Sequence, residues 1–458
     1  AEGLSCGCFL LRNLSITLDL LQSSSLKLSE PIQSCITQIL HQSQQGVAKS
    51  TKICKKGRKK KHRTVMETIV AHAQGLVYSL LCLMPSVYQK ASLNALLGLF
   101  LEAQGHPLPQ HTQVKSASSL SRFLNHYTWS TRGVIRTTRK AILKQIAIHS
   151  PRQGIPLRVV IDLTTLKKCG KFLHLSTPSD DPEHPDPWVR ILNGKRGLHL
   201  VVLYIEIECG EWRVPWSFRV WRGKGHPSPC QLACKLLATV PKELTQGRPV
   251  VVLADTEFGT GDFLNAVRQR NWRPVVGMRC NRKLQDGRTL KQLYRNGKRG
   301  QQVFLAGIPF PLTVSWFWLK RADKKRELRF VVSTYPYSGV YLVRLGRKRW
   351  AIEGFFKTIK HRFGMHCFGQ STRLGVYRWL ILSLIAYLLA HWIDQWSLPP
   401  FLDWKAASDL ALSVLFPSVL WFQLLKLIRT RADIAAQYGF EIILKLLPSW
   451  AYRECCKI

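Results

Sequence analysis

Three acidic residues are the first candidates for chemistry, because this strongly basic chain has few acids and these three stand beside apolar runs. The chain has 67 Lys and Arg residues against 27 Asp and Glu residues. Asp162 ends the run LRVVID, Asp255 ends VVVLAD, and Glu353 lies within RKRWAIEGFFKTIKHRFG. Carboxylate oxygens are the ligands that Mg²⁺ prefers, and two such ions about 3.5–4 Å apart promote displacement at phosphorus. These acids therefore predict a metal site that acts on phosphodiesters.

The two aspartates are predicted to stand at the ends of strands. An acid at the carboxyl end of a strand in an α/β sheet points into the crevice where such sheets bind their ligands. Thr164 would place a hydroxyl on the same strand face as Asp162, because side chains alternate along a strand. Taken alone, each aspartate is also explained as a helix N-cap or as a turn residue.

Glu353 is predicted to lie on a helix between two cations. Arg349, Glu353 and Lys360 are separated by four and then seven residues, so they share one helix face. On that face the carboxylate would present a metal ligand while the cations hold neighbouring phosphates. The simpler alternative is an exposed ion pair of Arg349 with Glu353, which stabilises a helix by only ~0.2–0.5 kcal/mol.

Other acids are rivals for the metal site. The most acidic segment is HLSTPSDDPEHPD (174–186), and its acids are Asp180, Asp181, Glu183 and Asp186. Because the segment is rich in Pro and polar residues, it is predicted to be a mobile loop between the first two strands. Glu257 and Asp262 closely follow Asp255 and are nearer rivals.

The net charge of +40 predicts a polyanionic partner. Nucleic acid is favoured, since Lys and Arg residues that neutralise phosphates release counterions; an anionic membrane surface is the less favoured alternative. The 13 cysteines show no two pairs at zinc-binding spacing, which predicts reduced intracellular thiols. The most apolar stretch, 379–393, is shorter than the ~20 residues that span a bilayer and contains His391, so it predicts a buried core helix. We expect a cytoplasmic protein without a membrane partner.

The chain is predicted to begin with a helical extension, residues 1–64, which ends in the basic run TKICKKGRKKKHR (51–63). This run has no acid, so we expect a flexible arm that lies along phosphates through Lys59, Lys60 and Lys61. The alternative is a linker that only aids solubility.

Residues 65–150 are predicted to form a helical DNA-binding domain, because apolar residues recur there at helical spacing. Its segment SASSLSRFLNHYTW (116–129) predicts a short amphipathic helix. Such a helix is compatible with the recognition helix of a helix-turn-helix motif, presenting Arg122, Asn125 and His126.

The following segments predict a mixed α/β sheet, because three strand-like runs precede alternating helix and strand patterns. We expect a catalytic core of residues 151–277 and 329–370, with a long helix at about 339–364. The core is interrupted by a basic β-rich insertion at 278–328, which holds 13 Lys and Arg and 3 Asp and Glu residues. Residues 371–458 hold 9 Lys and Arg and 6 Asp and Glu residues, which favours a helical packing or dimerising domain.

Tryptophans in and near the insertion are candidates for stacking on a flipped base. Trp316 and Trp318 are two residues apart and so share a strand face, and Trp272 lies between Asp255 and the insertion. The alternative for each is packing within a small sheet.

The order of predicted elements resembles the ribonuclease H-like nuclease core. Within it, R-x3-E-x6-K with Trp350 after the Arg resembles the Tyr-Arg-Glu-Lys signature of DDE transposases of the insertion-sequence-four type. The resemblance covers roughly residues 65–400, including VVIDLTT, VLADTEF and RWAIEGFFKTIKHRFG. One position departs, because Gly346 stands where the signature Tyr is expected, and Tyr341 lies a turn or more earlier.

This resemblance implies that Asp162, Asp255 and Glu353 coordinate two Mg²⁺ ions, with Mn²⁺ as an alternative, and catalyse cut-and-paste transposition. It implies that Arg349 and Lys360 contact the DNA of the transposon end. The implied protein is a prokaryotic, nucleoid-associated transposase that acts as a homodimer on terminal inverted repeats and target DNA, without a nucleotide cofactor. Two alternatives stay open: a ribonuclease H-like nuclease without strand transfer, and a catalytically inactive DNA-binding relative.

Overall fold

The computed structural model of the protein describes residues 56–102, 114–149, 154–168, 176–177, 186–207, 212–320, 326–396 and 403–441. Most of the acidic segment 174–186 lies outside them, so the rival metal site expected there is not described. The side chains of residues 56–68 also lie outside the described part, and Lys59, Lys60 and Lys61 are among them.

Helices precede the sheet in the described part of the chain. They are α1 (Lys56–Cys82), α2 (Val87–Leu101), α3 (Ala117–Asn125) and α4 (Thr131–His149). Helices α2 and α3 begin where a serine hydroxyl accepts a backbone N–H: Ser86 from Gln89 at 3.2 Å and Ser116 from Ser119 at 3.3 Å. The second half of the basic run, 56–63, lies in the first turns of α1, so the expectation of a flexible arm is wrong for these residues.

A nine-stranded mixed sheet forms the centre of the described residues. Its strands, in spatial order from one edge, are β4 (Arg190–Leu192) and β6 (Trp212–Trp221), both against β5 (Lys195–Ile207), then β1 (Leu157–Lys167), β7 (Val250–Ala254), β8 (Arg273–Met278), β11 (Arg326–Ser333), β10 (Leu312–Lys320) and β9 (Gln301–Val303). Strand β1 runs parallel to β7, and β7 runs parallel to β8, whereas the other pairs are antiparallel. A separate pair consists of β2 (Ser176–Thr177) and β3 (Asp186–Pro187). The predicted mixed direction is confirmed.

The central strands are buried on both faces, as their sequences require. All five residues of β7 (VVVLA) are buried, and so are the first six of β1 (LRVVID). A run without polar alternation predicts a strand that is covered on both sides. The paired parts of β1 and β7 therefore lie within the buried core.

The segment expected to be an insertion, 278–328, contributes strands to this same sheet. Strand β10 pairs with β11 from Thr313–Ser333 to Lys320–Arg326, and β11 pairs with β8. Helix α8 (Leu290–Asn296) lies between β8 and β9. The basic segment thus extends the sheet beyond β8.

The remaining helices lie after β6 along the chain. They are α5 (Pro229–Leu237), α6 (Lys242–Thr245), α7 (Gly261–Arg268), α9 (Gly339–Lys348), α10 (Ala351–His361), α11 (Arg373–Trp396), α12 (Trp404–Leu415) and α13 (Pro417–Gln437). The single long helix expected at about 339–364 is wrong, because the chain forms α9 and α10 with a break at Arg349 and Trp350.

Helix α11 joins the N-terminal helices to the sheet. It packs against α1, α2, α3 and α12 and against β6. Its segment Arg373–Gln395 is long and apolar enough to cross a membrane, but 94% of the apolar window is buried inside the protein. His391 in this helix accepts a hydrogen bond from the backbone N–H of Arg213 at 3.0 Å. The apolar stretch is therefore a core helix, as predicted.

Candidate active site

The strand register places Asp162 and Asp255 side by side. Parallel strands β1 and β7 are paired at Ile161 and Ala254, and each aspartate is the next residue along its chain. The prediction that Asp162 ends its strand is wrong, because β1 continues to Lys167 against β5, and only its parallel pairing with β7 stops before Asp162. Asp162 is only 8% exposed, whereas Asp255 lies where β7 ends and a 3₁₀ turn (Thr256–Phe258) begins.

The guanidinium of Arg349 brings all three predicted acids together. Its Nη1 lies 2.7 Å from Asp162 Oδ2, its Nη2 lies 3.1 Å from Glu353 Oε1, and its Nε lies 3.9 Å from Asp255 Oδ1. The side chains of Arg349 and Asp162 are 14% and 11% exposed, so solvent screens this pair only weakly. Three carboxylates from two strands and one helix therefore face a common point.

Burial raises the pKa of the Asp162 carboxyl to about 6, although Arg349 opposes this rise. Asp255 and Glu353 raise the pKa further, because each adds negative charge beside the same carboxylate. The backbone N–H of Leu163 donates a hydrogen bond to Asp162 Oδ1 at 2.8 Å and fixes the side chain. A positive charge at this point therefore favours the ionised form of Asp162.

A local tightening of the helix aims Arg349 at the acids. Between α9 and α10, the N–H of Arg349 bonds the carbonyl of Gly346, and the N–H of Ile352 bonds the carbonyl of Arg349. These three-residue spacings are typical of a 3₁₀ turn, which is narrower than an α-helix. Arg349 and Glu353 contact each other as expected, although Arg349 lies in the break and Glu353 lies in α10.

Lys360 ties helix α10 to the strand that carries Asp162. Its Nζ donates a hydrogen bond to the backbone oxygen of Thr165 at 3.0 Å. Burial lowers the pKa of Lys360, and the nearby Lys195 and Lys167 lower it further. The end of β1 is consequently rich in positive charge.

The donor set fits Mg²⁺ in kind, because all three side chains supply hard carboxylate oxygens. Within the described ranges, no three Asp, Glu, His or Cys side chains are grouped closely enough to hold a metal ion as they stand. Each of the three acids instead contacts a different nitrogen of Arg349. For the acids to share an ion, this guanidinium has to move away from the point between them.

The departure at Gly346 has a packing reason. A Cβ at this position would lie 3.2 Å from Cγ2 of Val331 on β11, so any larger side chain would press α9 away from the sheet. Tyr341, the alternative to the missing signature Tyr, packs on Tyr337 with ring centroids 5.1 Å apart and the rings tilted by 48°, and Arg344 lies over its ring. The close packing of α9 against the sheet therefore favours Gly at position 346 over the larger Tyr of the signature.

The tryptophans proposed for base stacking differ in accessibility. Trp316 is 4% exposed and packs on Phe330 and Tyr294, whereas Trp318 is 45% exposed and also contacts Tyr294. Trp272 is half-buried beside Arg270. Of these, Trp318 presents the most open ring.

The opposite face of β10 points toward Trp350, in the break between α9 and α10. There Phe317 contacts the ring of Trp350 at 6.0 Å, and Arg347 lies over Phe317. The sequence reasoning missed this contact, although Phe317 stands between the two tryptophans and alternation places it on the other face.

The remaining candidates lie apart from the three acids. Arg122 is exposed on α3, whereas Asn125 beside it is buried and accepts hydrogen bonds from the backbone and hydroxyl of Thr372. Glu257 pairs with Arg279 at 3.8 Å, and Asp262 lies in the first turn of α7. Neither of these rival acids contacts Arg349 within the described residues.

Comparison with known proteins gives a consistent family. Residues 156–389, just over half of the chain, match the family model described as the transposase DDE domain. A probable transposase for insertion sequence element IS5377 from Geobacillus stearothermophilus is 23% identical over 214 residues, which are 46% of this chain and 53% of that protein. The match thus spans about half the length of this curated relative.

One solved structure also aligns. It is a chain of the cryo-EM structure of the piggyBac transposase synaptic complex with hairpin DNA, and the alignment covers 78% of this chain and 79% of that chain. The TM-score is 0.42 at 11% identity, a level at which the two folds are not shown to be the same.

Proposed function

Since the chain belongs to the family of DDE-domain transposases, we propose that it is a DNA transposase that excises and inserts a DNA segment at one active site built from Asp162, Asp255 and Glu353. In the proposed reaction, water attacks a phosphodiester at the end of the segment and frees a 3′-hydroxyl. That hydroxyl then attacks a phosphodiester of the target DNA, forms a new phosphodiester with the target 5′-phosphate and releases the 3′-hydroxyl of the target strand.

The observation that supports this proposal most strongly is the convergence of the three acids on Arg349. Two of them directly follow the last parallel pair between β1 and β7, and the third comes from a helix far along the chain. An exposed ion pair of Arg349 with Glu353 would explain one of the three contacts but neither of those with the aspartates. Acidic side chains that lie close together despite their mutual repulsion are typical of functional sites.

We propose that Asp162, Asp255 and Glu353 hold two Mg²⁺ ions, with Mn²⁺ able to substitute. When bound, two such ions activate the attacking oxygen and stabilise charge on the attacking and leaving oxygens. Asp162 would be the metal ligand with the least freedom to move, because it is buried and its Oδ1 accepts a hydrogen bond from the Leu163 N–H. Glu353 is the most exposed of the three side chains, at 53%, so its carboxylate has the most freedom to adjust.

In this proposal Arg349 and Lys360 interact with the DNA in addition to making their contacts within the active site. A guanidinium binds phosphate oxygens in a bidentate manner, so Arg349 would pass from the carboxylates to a phosphate of the bound end. Lys360 stays against Thr165 and keeps the end of β1 positive beside the DNA backbone.

We propose further that the catalytic core is ribonuclease H-like. Support comes from the order β6-β5-β1-β7-β8, in which β6, β5 and β1 run antiparallel and β1, β7 and β8 run parallel. The elements come in the same succession along the chain as the resemblance implied. The two aspartates then lie on the central strand and its parallel neighbour.

The proposed partners are the two ends of the mobile segment and a target duplex. Two ends must be cut and joined together, so we propose a homodimer on DNA with one active site for each end. The excess of positive charge lies upstream of residue 371, where the proposed DNA surfaces lie.

A joining assay separates this proposal from a nuclease that cannot transfer strands. The substrate is a linear duplex that carries the gene with its flanking DNA, supplied with Mg²⁺ and a supercoiled target plasmid. We expect excised segments to be joined to the plasmid. Cut ends without joined product would favour the nuclease, and binding without any cut would favour an inactive relative.

Asp255→Asn and Asp262→Asn provide a matched pair for this assay. Both change an acid to its amide within the same short segment, but only Asp255 contacts Arg349. We expect Asp255→Asn to abolish joining and Asp262→Asn to retain it within about threefold. Loss in both variants would refute the assignment of Asp255 to the site.

A further inference from the structure

Four exposed cations form a stripe along helix α4. They stand at every fourth position and are Arg132, Arg136, Lys140 and Lys144. At about 1.5 Å of rise per residue the stripe extends over roughly 18 Å. The helix, TRGVIRTTRKAILKQIAIH, contains no acid. In the part of the chain that the structure describes, none of the four forms an ion pair with a carboxylate.

This stripe disfavours the isolated helix. Like charges four residues apart lie next to each other on the surface and repel, which destabilises a helix. Helix α4 forms because its other side is buried through Val134, Thr138, Ile142 and Ile146. The four cations of α4 repel one another and remain in solvent. A bound polyanion would relieve this repulsion.

Helix α4 follows α3 in the order that a helix-turn-helix motif has. It follows α3 after a turn of five residues, His126–Ser130. The stripe begins in the first turn of α4, which is where a recognition helix contacts the bases. The sequence suggested α3 for that role, but Asn125 at its end is buried and bonds Thr372 instead.

The turn before α4 is held by a buried guanidinium. Arg378 of α11 is 2% exposed and lies over the ring of Trp129 at 4.0 Å. It donates to the hydroxyl of Thr131 at 3.1 Å and to backbone oxygens of the preceding turn: Phe123 at 3.2 Å, Leu124 and Tyr127 at 2.9 Å, and Trp129 at 3.0 Å. The start of the stripe is therefore fixed to the core helix.

A second contact fixes α4 to the catalytic sheet. The guanidinium of Arg139 lies 4.9 Å from the ring of Trp216 on β6. Exposed Arg219 on β6 lies near Tyr377 together with Arg132 and Arg139, so the positive surface continues from α4 toward the sheet. A ligand on the stripe would thus be held at a set position relative to the acids.

We propose that α4 is the helix that recognises duplex DNA, with Arg132 and Arg136 reading base edges in the major groove and Lys140 and Lys144 binding phosphates. A guanidinium makes the bidentate contact to guanine that discriminates sequence, whereas an ammonium acts as a point charge. The inference rests on the proposed function for its choice of DNA. Residues 1–55 have three acids, Glu2, Asp19 and Glu30, too few to be the stripe's partner.

Equilibrium binding of labelled duplexes, measured in EDTA so that no cutting occurs, tests this assignment. The duplexes come from the DNA flanking the gene and from unrelated sequence. The variants are Arg132→Gln with Arg136→Gln, and Lys140→Gln with Lys144→Gln. The matched control is Lys235→Gln with Lys242→Gln, which removes two exposed cations from α5 and α6.

We expect the lysine pair to weaken binding to every duplex alike and to lower the slope of log affinity against log salt by about 2. The arginine pair should reduce the preference for end DNA over unrelated DNA by at least about tenfold. The control should bind within about twofold of the unchanged protein. Both stripe variants should melt at or above its temperature, because repulsion is removed.

Stripe variants that bind all duplexes like the unchanged protein would overturn the inference. So would binding of anionic phosphatidylserine vesicles through the stripe when duplex DNA is not bound. Because the assay needs no metal and no reaction, its result is independent of catalysis. A protein that binds end DNA through α4 but never cuts it would overturn the proposed function and leave this inference standing.

Discussion

The most informative single residue is Arg349, because it contacts all three candidate catalytic acids. Its guanidinium supplies the positive charge that the buried Asp162 carboxylate requires, since burial and two neighbouring acids raise the pKa of Asp162 to about 6. The guanidinium contacts the three acids through three different nitrogens and so holds them together. We propose that metal ions replace this charge when the site becomes active.

Replacing Arg349 with Met tests that exchange of charge. Without metal, we expect the free energy of unfolding to fall by roughly 3 kcal/mol, as for a broken buried ion pair. Added Mg²⁺ should then raise the melting temperature of Arg349→Met by more than it raises that of the unchanged protein, because binding to the folded state stabilises it. Thermal unfolding with EDTA and with Mg²⁺ measures both effects.

The matched control is Arg344→Met, which removes an exposed guanidinium one turn and a half earlier on α9. It should lower stability by less than about 1 kcal/mol and leave the Mg²⁺ response unchanged. An equal Mg²⁺ response in Arg349→Met and Arg344→Met would contradict the view that Arg349 takes the place of the metal.

At the scale of elements, the sequence predicts the strands and their acids well but not the joints between helices. The apolar runs before Asp162 and Asp255 identify buried strands, because continuous Val and Leu suit a sheet covered on both faces. The break at Arg349 and Trp350 could not be read in the same way. The sequence there is helix-forming throughout, and only the tertiary contacts of Arg349 account for the tighter turn.

The assignment of the recognition helix shows a similar limit. The residues of α3 have a clear apolar face, and this pattern predicts DNA contacts for the polar residues on the other side. The structure uses Asn125 to bond the start of α11 and leaves the exposed basic stripe on α4. A four-residue spacing of basic residues without acids was present in the sequence and could have indicated α4.

Arg378 gives a prediction for the α3–α4 unit. Arg378→Lys keeps the charge, but an ammonium has three donors and cannot reach the five acceptors that the planar guanidinium satisfies. We expect the free energy of unfolding to fall by roughly 3 kcal/mol, because buried carbonyls lose their partners. DNA affinity should fall as well, since the turn fixes the start of α4.

Chemical denaturation and the duplex-binding measurement together decide this prediction. Arg378→Lys with unchanged stability and unchanged affinity would show that charge alone matters at this position. Loss of stability with unchanged affinity would show that the hydrogen bonds of Arg378 stabilise the fold but do not determine the orientation of α4.

At the scale of the whole molecule, the excess positive charge and the most apolar helix lie in different parts of the chain. The excess of Lys and Arg residues lies upstream of residue 371, whereas helix α11 is apolar and buried and joins the N-terminal helices to the sheet. Composition predicts the polyanionic partner. It cannot predict that α11, Arg378 and Arg139 fix the basic helix α4 relative to the acids, because those contacts join residues far apart in sequence.

The central claim is that three acids distant in sequence form one active site for cutting DNA. Asp162→Asn, Asp255→Asn and Glu353→Gln each remove one negative charge while keeping the shape of the side chain. The decisive measurement is Mg²⁺-dependent cleavage of DNA that carries the ends of the segment, with affinity for the same DNA measured in EDTA. We predict that each variant loses cleavage by at least about a thousandfold, since each acid stabilises charge in the same transition state, and binds the DNA within about threefold of the unchanged protein. Cleavage near the unchanged rate in any one of the three variants would contradict the account.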